Sequence, residues 1–383
     1  MTFAAVTELF TSRFAENPTL FRAPGRINLM GEHTDYNGGF VMPSAIDKYF
    51  LFAMAPNGTN QFHFTALDLN ESISFSSDQL KPGHHWSNYL MGVVDGFIRR
   101  EKKIYGANVV FTSNIPANAG LSSSAALCSG LGFALNDIFE CGLATLDLAL
   151  IAQESEHRFA GAKVGIMDMY ASLFSKEGSI MLLDCQSNTH RYLPFKNDGL
   201  ELLLIDTKVK HTLASSAYNN RRQACEKGVE IIRQKHQHVR SLRDVSVSML
   251  KDSKVKIEEE VFQRCLYVVQ EMQRTQQAVD CLRTNDSISL GQLMYQTHWG
   301  LSKMYEVSCD ESDWLVTFAQ ENGITGARQI GGGFGGCVLC LLYNDLKKTF
   351  IEKVKSKYVA HFKKEPDFYS VKLTDGVSRA SGD

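Results

Sequence analysis

The sequence lacks any apolar run long enough to cross a membrane, since no stretch approaches the ~18 apolar residues that a transmembrane helix needs. Residues 1–20 also lack the apolar core of a signal peptide. The nine cysteines contain no Cys-x-x-Cys pair, and their odd number argues against a disulfide framework. We therefore expect reduced, buried thiols in a cytoplasmic protein without a membrane partner.

An excess of charge of one sign is also missing. The chain has 40 Lys and Arg residues against 42 Asp and Glu residues, a net charge of -2, so no global field attracts nucleic acid. It has no G-x-x-x-x-G-K-[ST] loop, no H-R-D segment and no D-F-G triplet. Any phosphate must therefore be bound by local geometry on a different scaffold. We expect no nucleic-acid partner and a monomer.

With 383 residues, 44% of them hydrophobic, the chain is long enough for two domains. Residues 193–199 read as a loop because Pro, Asn, Asp and Gly cluster there. The prediction is an N-terminal domain over residues 1–195 and a C-terminal domain over residues 196–383.

Strand and helix patterns alternate along the chain, which predicts a mixed α+β class. Strands are predicted at Val41–Ala55, Ala107–Ser113, Ser179–Asp184, Leu200–Thr207 and Cys337–Tyr343. Helices are predicted at Ser123–Phe139, Thr145–Phe159, Ser215–His236, Ser246–Lys254, Val261–Arg283, Leu290–Met304, Cys309–Asn322 and Asp345–Phe362.

A first polar cluster lies in the segment 22–39, which reads as a turn-rich loop and contains Arg26, Glu32, His33 and Asp35. Two acids beside a histidine suit a polyhydroxylated ligand, whose hydroxyls both donate and accept hydrogen bonds. A solvated loop with surface ion pairs is the alternative. A metal site is disfavoured because no second histidine lies nearby.

A second cluster, residues 115–127, contains Gly120 and the serines Ser122, Ser123 and Ser124 between a strand and a helix. Small residues and hydroxyls at the start of a helix form an anion cradle, suited to a triphosphate and its metal. The alternative is simple capping of the helix by serine.

A third cluster, residues 325–337, has five glycines in six positions. Gly331, Gly333 and Gly336 satisfy G-x-G-x-x-G, but an apolar strand follows where a dinucleotide site needs a helix. A nicotinamide enzyme is therefore disfavoured. Close approach of the backbone to a ligand or to another segment is predicted, with a tight packing turn as the alternative.

Two acids lie outside these clusters. Glu156 is near the end of a predicted helix, and Asp168 is flanked by apolar residues, which suggests a partly buried carboxylate. From spacing alone, Asp168 either caps the next helix or takes part in chemistry.

The segment from Gly25 to Asp35 resembles the galactokinase signature, whose central part matches residues 31–37. The serine and glycine clusters resemble the second and third motifs of the superfamily that also contains homoserine, mevalonate and phosphomevalonate kinases. The three motifs have the family's order and span residues 20–340. The resemblance implies a two-domain α+β fold with the active site in the interdomain cleft and ATP bound by the first domain. It also implies transfer of phosphate from MgATP to the anomeric hydroxyl of galactose, the first committed step of galactose catabolism.

The resemblance also implies roles for individual residues. Arg26 would stabilise the transferring phosphoryl group, and Asp168 would be the catalytic base. Mg²⁺ would be held by Ser124 and Glu156. The sugar would be bound by Glu32, His33, Thr34, Asp35, Gly165 and Tyr218. The ATP phosphates would be bound by Asn118, Ala119, Gly120, Leu121, Ser122, Ser123 and Ser124.

Three positions depart from the family pattern. Asn118 stands where glycine is usual, Met169 where glutamine is usual, and Gln329-Ile330 where Met-Thr is usual. These departures put rate and nucleotide affinity in question more than reaction type. The alternatives to a galactokinase are a kinase for N-acetylgalactosamine or arabinose, and a sensor that binds galactose and ATP without catalysis.

Overall fold

The computed structural model describes residues 2–83, 86–196, 198–209 and 214–380. Three sheets and a set of helices build the fold, and none of the described helices is both long and apolar enough to cross a membrane. The helices are α1 (Phe3–Phe14), α2 (Ser87–Arg99), α3 (Ser123–Ile138), α4 (Thr145–Ser155), α5 (Met167–Phe174), α6 (Ala214–Arg233), α7 (Val247–Ser253), α8 (Glu259–Thr284), α9 (Ser287–Lys303), α10 (Asp310–Glu321) and α11 (Asn344–Phe362). The strands are β1 (Thr19–Asn28), β2 (Phe40–Val41), β3 (Pro43–Pro56), β4 (Gln61–Ala66), β5 (Glu71–Ser76), β6 (Ala107–Ser113), β7 (Ser179–Asp184), β8 (Thr189–Pro194), β9 (Leu200–Asp206), β10 (Gly326–Gln329), β11 (Cys337–Tyr343), β12 (Asp367–Val371) and β13 (Ser378–Ala380).

The first half of the chain is organised on a six-stranded sheet with the order β13-β1-β3-β6-β4-β5. Phe21 of β1 lies opposite Phe52 of β3, and both enter one buried cluster with Leu90 of α2 and Leu131 of α3. Because side chains alternate between the faces of a strand, the other face can bury α1, whose Phe10 lies in a separate cluster. This packing places the start of α3 at the carboxyl end of β1.

The second half is organised on a four-stranded sheet with the order β10-β11-β9-β12. Central strand β11 is apolar on both faces, with Leu339 in one buried cluster and Val338 in another. A strand covered on both sides reads as a continuous apolar run, as residues 337–342 do. The small sheet β2-β7-β8 contacts β3 through β7, and its Ile180 and Leu193 share a buried cluster with Leu202 of β9.

The mixed α and β class predicted from the sequence is confirmed by this architecture. Strands Ala107–Ser113, Ser179–Asp184 and Cys337–Tyr343 have the predicted bounds. The prediction of a loop over the whole segment 22–39 is wrong, because residues 22–28 belong to β1 and are mostly buried against β3. The boundary near residue 195 stays a prediction, and Asn197 in that loop lies outside the described residues.

Candidate active site

Backbone contacts bring the three motif segments together. The N–H of Arg26 donates to the carbonyl of Leu121 at 3.2 Å, and the N–H of Cys337 donates to the carbonyl of Ala119 at 3.0 Å. A Cβ on Gly331, whose φ is +76°, would lie 2.8 Å from the carbonyl oxygen of Gly120. Glycine is needed at this position because the two loops touch backbone to backbone.

A cavity of about 300 Å³ opens where these loops meet. The glycine loop therefore both packs on the serine loop and lines a cavity large enough for a small ligand. Most of the residues singled out from the sequence line it: Arg26, Glu32, His33, Asp35, Asn118, Gly120, Ser122, Gly165, Asp168, Tyr218, Gly331 and Gly333.

An ion pair lies at the centre of the cavity. The Nε of Arg26, the last but two residue of β1, donates to Oδ1 of Asp168 at 2.7 Å, and its Nη1 donates to the carbonyl of Gly120 at 2.6 Å. The hydroxyl of Ser122 donates to Oδ2 of Asp168 at 2.6 Å. Asp168 is in the first turn of α5 and its side chain is 23% exposed. Both carboxylate oxygens are thus oriented by donors, while each keeps a further lone pair for a ligand.

The hydroxyl of Ser122 does not cap α3, because it is directed to Asp168 and the residue has the left-handed φ of 56°. Simple capping by this serine, the alternative to an anion cradle, is therefore wrong. The first-turn N–H groups of a helix have no intrahelical partner, so the start of α3 at Ser123 can face a negative group.

Asp35 and Gly165 form a matched pair on the wall of the cavity. A Cβ on Gly165 would lie 1.8 Å from Oδ2 of Asp35, so only glycine leaves room for this carboxylate. Burial, and next the nearby Asp168, raise the pKa of Asp35 to about 7. Ionisation of Asp35 is costly while no ligand is bound. The ionised carboxylate would therefore be stabilised by a ligand that donates hydrogen bonds to it.

Glu32 is held by a residue that reasoning from the sequence did not select. Nη2 of Arg328 on β10 pairs with Oε2 of Glu32, and Nη1 of Arg328 donates to the carbonyls of Asn28 and Leu29 at 2.8 and 3.0 Å. Burial raises the pKa of Glu32, and the guanidiniums of Arg328 and Arg26 oppose that rise. The only sequence signal for Arg328 was its place in the third cluster, three residues before Gly331.

The loop that carries Glu32 is also fixed from the helical half of the chain. The N–H of Gly31 donates to Oε1 of the fully buried Glu271 at 2.8 Å, and the hydroxyl of Tyr267 donates to the carbonyl of Glu32 at 3.0 Å. Both residues lie on α8. The conformation of the loop therefore depends on contacts more than 200 residues away in sequence.

Several predicted residues are not among those that line the cavity: Thr34, Ala119, Leu121, Ser123, Ser124 and Glu156. The hydroxyl of Thr34 lies within hydrogen-bonding distance of the carbonyls of Gly31 and Phe40, at 2.9 and 2.7 Å. Ala119 and Leu121 are buried in an apolar cluster. Of Thr34, Ala119 and Leu121, only the backbone groups can contact a ligand.

Glu156 and Ser124 lie next to each other behind the serine loop. Glu156 opens a π-helical turn, Glu156–Ala160, that follows α4, and it is 4% exposed. Burial raises the pKa of Glu156 to about 7, and a hydrogen bond from Ser124 opposes that rise. No group of three or more acids, histidines or cysteines in the described part of the chain forms a metal cage. Two oxygen donors fit Mg²⁺, which is usually held by one or two carboxylates together with waters and substrate phosphates.

The departures from the family pattern have structural explanations. Asn118 has a φ of 59°, a left-handed conformation that asparagine tolerates better than most residues other than glycine. Met169 is fully buried in the core of the first half, away from the cavity. Gln329 is buried and donates to the carbonyl of Val307 at 3.2 Å, whereas Ile330 lines the cavity and offers no hydroxyl there.

Comparisons with known proteins agree with this geometry at two levels. A model described as the GHMP kinases N terminal domain matches residues 88–176, and one described as GHMP kinases C terminal matches residues 278–360. The mevalonate kinase of Methanococcus jannaschii shares the fold, with a TM-score of 0.66 at 17% identity over 94% of this chain and 99% of that chain. Fold and site thus define a kinase of the GHMP class.

The galactokinase galactose-binding signature matches residues 8–56. A galactokinase of Thermosipho africanus is 38% identical over 94% of this chain and 99% of its own length. A galactokinase of Roseiflexus is 36% identical over 97% of this chain and 96% of its own. The crystal structure of Lactococcus lactis galactokinase complexed with galactose has a TM-score of 0.94 at 29% identity, covering 98% of this chain and 99% of that chain. The chain belongs to the galactokinase family.

Proposed function

We propose that this protein transfers the γ-phosphoryl group of ATP to the anomeric hydroxyl of D-galactose, giving galactose 1-phosphate and ADP. The observation that carries the proposal is the carboxylate of Asp168, held between Arg26 and Ser122 in a cavity that also contains Glu32, His33 and Asp35. One end of this cavity suits a sugar and the other end an anion.

The sugar would lie among the polar side chains of the first motif. Asp35 and Glu32 offer carboxylate oxygens, His33 offers a ring nitrogen, and Tyr218 contributes a ring from the helical half. A site that pairs each hydroxyl discriminates epimers, because a misplaced hydroxyl leaves a buried group without its partner. Gly165 and Thr34 would take part only by leaving room or by their backbone.

The reacting hydroxyl would be oriented by Asp168. Phosphoryl transfer needs alignment and neutralisation of charge on the moving group more than covalent help from the protein. Asp168 would accept the hydroxyl proton as the bond to phosphorus forms, and Arg26 would then be free to shift part of its charge to the phosphoryl oxygens.

The phosphates would lie over the serine loop at the start of α3. Backbone N–H groups of residues 118–124, with the hydroxyls of Ser123 and Ser124, would meet the β- and γ-phosphates. When bound, Mg²⁺ would neutralise phosphate charge, with Ser124 and Glu156 as the protein ligands. Glu156 would have to be ionised to hold it.

The adenine would lie in a second groove beside the turn that carries Glu156. This groove has a volume of about 660 Å³ and is lined by Trp86, Tyr89 and Phe159, with Asn88 as a polar group. Flat aromatic faces suit a purine ring, whereas the amide of Asn88 is already hydrogen-bonded at both ends to the backbone of Gly83. A Trp86→Ala change should raise the KM for ATP and leave the KM for galactose unchanged.

ADP release in the presence of galactose, N-acetylgalactosamine, arabinose, glucose or mevalonate tests the reaction. Turnover is expected with galactose and Mg²⁺ and should disappear in Asp168→Asn, whose folding is checked by circular dichroism. Turnover confined to another sugar would move the assignment to that sugar. Binding of galactose without ADP release would indicate a sensor and refute the kinase proposal.

A further inference from the structure

One ring nitrogen of His33 contacts a protein side chain, and the other lies at the cavity. Its Nδ1 lies 2.8 Å from the hydroxyl of Tyr36, whereas its Nε2 is buried and has no hydrogen-bond partner. The side chain lines the cavity, and its backbone has the left-handed φ of 64° that turns it inwards. Nε2 is therefore the nitrogen left for a ligand.

A chain of hydroxyls stands behind Nδ1. The hydroxyl of Tyr36 lies 2.7 Å from that of Tyr305, which lies 3.3 Å from Sγ of Cys225. Tyr305 and Cys225 are buried; Tyr305 lies two residues after the end of α9, and Cys225 lies on α6. Each of these hydroxyl and thiol groups has one proton to donate. Along this row of groups, each therefore donates either towards His33 or away from it.

His33 is neutral at physiological pH, because burial, and next the nearby Arg221, lower its pKa to about 3. A neutral imidazole carries one proton, and its place is set by the bond that the other nitrogen makes. A tyrosine hydroxyl is a stronger acid than a neutral imidazole N–H, and an imidazole lone pair is a stronger base than a phenol oxygen. In the favoured arrangement, Cys225 donates to Tyr305, Tyr305 donates to Tyr36, and Tyr36 donates to Nδ1 of His33.

We propose that Tyr36 and Tyr305 are positioning residues that hold His33 as its Nε2–H tautomer, so that His33 is a hydrogen-bond donor to an oxygen of the sugar. The role in sugar binding rests on the proposed function, whereas the tautomer does not. As a consequence, one position of the sugar site is a hydrogen-bond donor only and cannot act as an acceptor. Glu32 and Asp35 can accept from sugar hydroxyls, and His33 supplies the donor that they lack.

The tautomer can be read directly in the unliganded protein. In a two-bond nitrogen–proton correlation spectrum of ¹⁵N-histidine-labelled protein, Nε2 of His33 should appear as the protonated nitrogen and Nδ1 as the lone-pair nitrogen. The signal is identified by its absence in His33→Gln. Tyr36→Phe removes the donor to Nδ1 and should leave a mixture of tautomers. A proton on Nδ1 in the unsubstituted protein would overturn the proposal.

The chain contains a matched control with the opposite expectation. The hydroxyl of Tyr170 donates to the carbonyl of Asn188 at 3.0 Å and lies 2.8 Å from Nδ1 of His190. Its proton is already used, so its oxygen accepts from His190, which should carry a proton on Nδ1. Tyr170→Phe should therefore change the signal of His190 and leave that of His33 unchanged.

Sugar analogues test the polarity of the contact itself. The sugar hydroxyl that contacts His33 is identified by comparing deoxy analogues: for the analogue that lacks this hydroxyl, His33→Gln causes no further loss of affinity. At that position a fluorine can still accept, so the fluoro analogue should bind more tightly than the deoxy analogue, by up to the about 3- to 10-fold of one neutral hydrogen bond. Equal binding, or weaker binding of the fluoro analogue, would show that His33 accepts there and would refute the proposal. Failure of galactose itself to react would instead count against the proposed reaction and would leave the tautomer measurement standing.

Discussion

Replacing Arg328 by methionine is the most demanding test of how the two halves of the chain build the sugar site. Arg328 is fully buried and serves three acceptors: the carboxylate of Glu32 and the carbonyls of Asn28 and Leu29. Methionine fills much of the same volume but provides none of these donors. The substitution leaves Glu32, itself 2% exposed, without its ion-pair partner.

The magnitude follows from this burial. Breaking a buried ion pair by removing one partner costs about 3–5 kcal/mol, and each carbonyl left without a donor adds about 1 kcal/mol or more. Glu32 can relieve part of the cost by binding a proton, in the direction in which burial already raises its pKa. We therefore expect Arg328→Met to lower the free energy of unfolding by about 3–5 kcal/mol.

Urea unfolding of a double-mutant cycle measures this effect. Glu32→Gln in the Arg328→Met background removes the stranded carboxylate and should restore about 1–3 kcal/mol. Arg379→Met is the control, because Arg379 lies 3.8 Å from Asp137 with its side chain 64% exposed and should cost at most about 1 kcal/mol. The reasoning is refuted if Arg328→Met and Arg379→Met unfold alike, or if the double variant is no more stable than Arg328→Met.

Three further changes probe single contacts. Gly165→Ala places a methyl group 1.8 Å from Oδ2 of Asp35, so the KM for galactose should rise by about tenfold or more. In the control Gly132→Ala, the added methyl group has no neighbour closer than 3.9 Å, and KM should not change. Equal KM values for the two variants would contradict the steric argument. Ser122→Gly relieves a left-handed φ of 56° and should add up to about 1 kcal/mol of stability. The same change removes the hydrogen bond from the Ser122 hydroxyl to Asp168 and should lower kcat by about 10- to 100-fold. An unchanged kcat would exclude that hydroxyl from the reaction. The pKa of Asp35 is about 7 in the folded protein against an ordinary 3.8, so the folded state holds the extra proton between these values. Stability should therefore fall as pH rises through this window, by up to about 1.4 kcal/mol per pH unit, and urea titrations of Asp35→Asn should lack this slope; parallel curves would refute it.

Local patterns were enough to predict most of the helices and the long buried strands, whereas β4, β5, β8, β10, β12 and β13 were not predicted. The apolar run 337–342 identifies β11 because a strand buried on both faces shows no alternation, and the segment 107–113 identifies β6 for the same reason. Helices α1, α2 and α5 were missed. Of these, α5 has only eight residues, too few for a repeating apolar stripe to stand out, and its helical state depends on packing against the six-stranded sheet.

The first motif shows how a pattern can identify a site and mislead about its backbone. Pro24, Gly25 and several charged residues suggested a loop. The chain nevertheless runs as β1, because β3 covers it along its length and a shift in register between Pro24 and Arg26 absorbs the irregularity. Arg26 is consequently held on a strand, which fixes its guanidinium against Asp168 more firmly than a loop could.

Reasoning from the sequence recovers the groups that touch the cavity, since short motifs keep them close together in the chain. It misses Arg328, Glu271 and Tyr305, since these act on the motif from 200 residues or more away. Nothing in the neighbourhoods of Glu271 and Tyr305 distinguishes them, and Arg328 is marked only by its place in the third cluster. Their importance arises from burial: all three side chains are fully buried and each contacts a polar group of segment 31–36, so each contact is strong and its loss is costly. The chemistry of the site is therefore encoded locally, whereas the orientation of its groups is encoded in the packing of one half of the chain against the other.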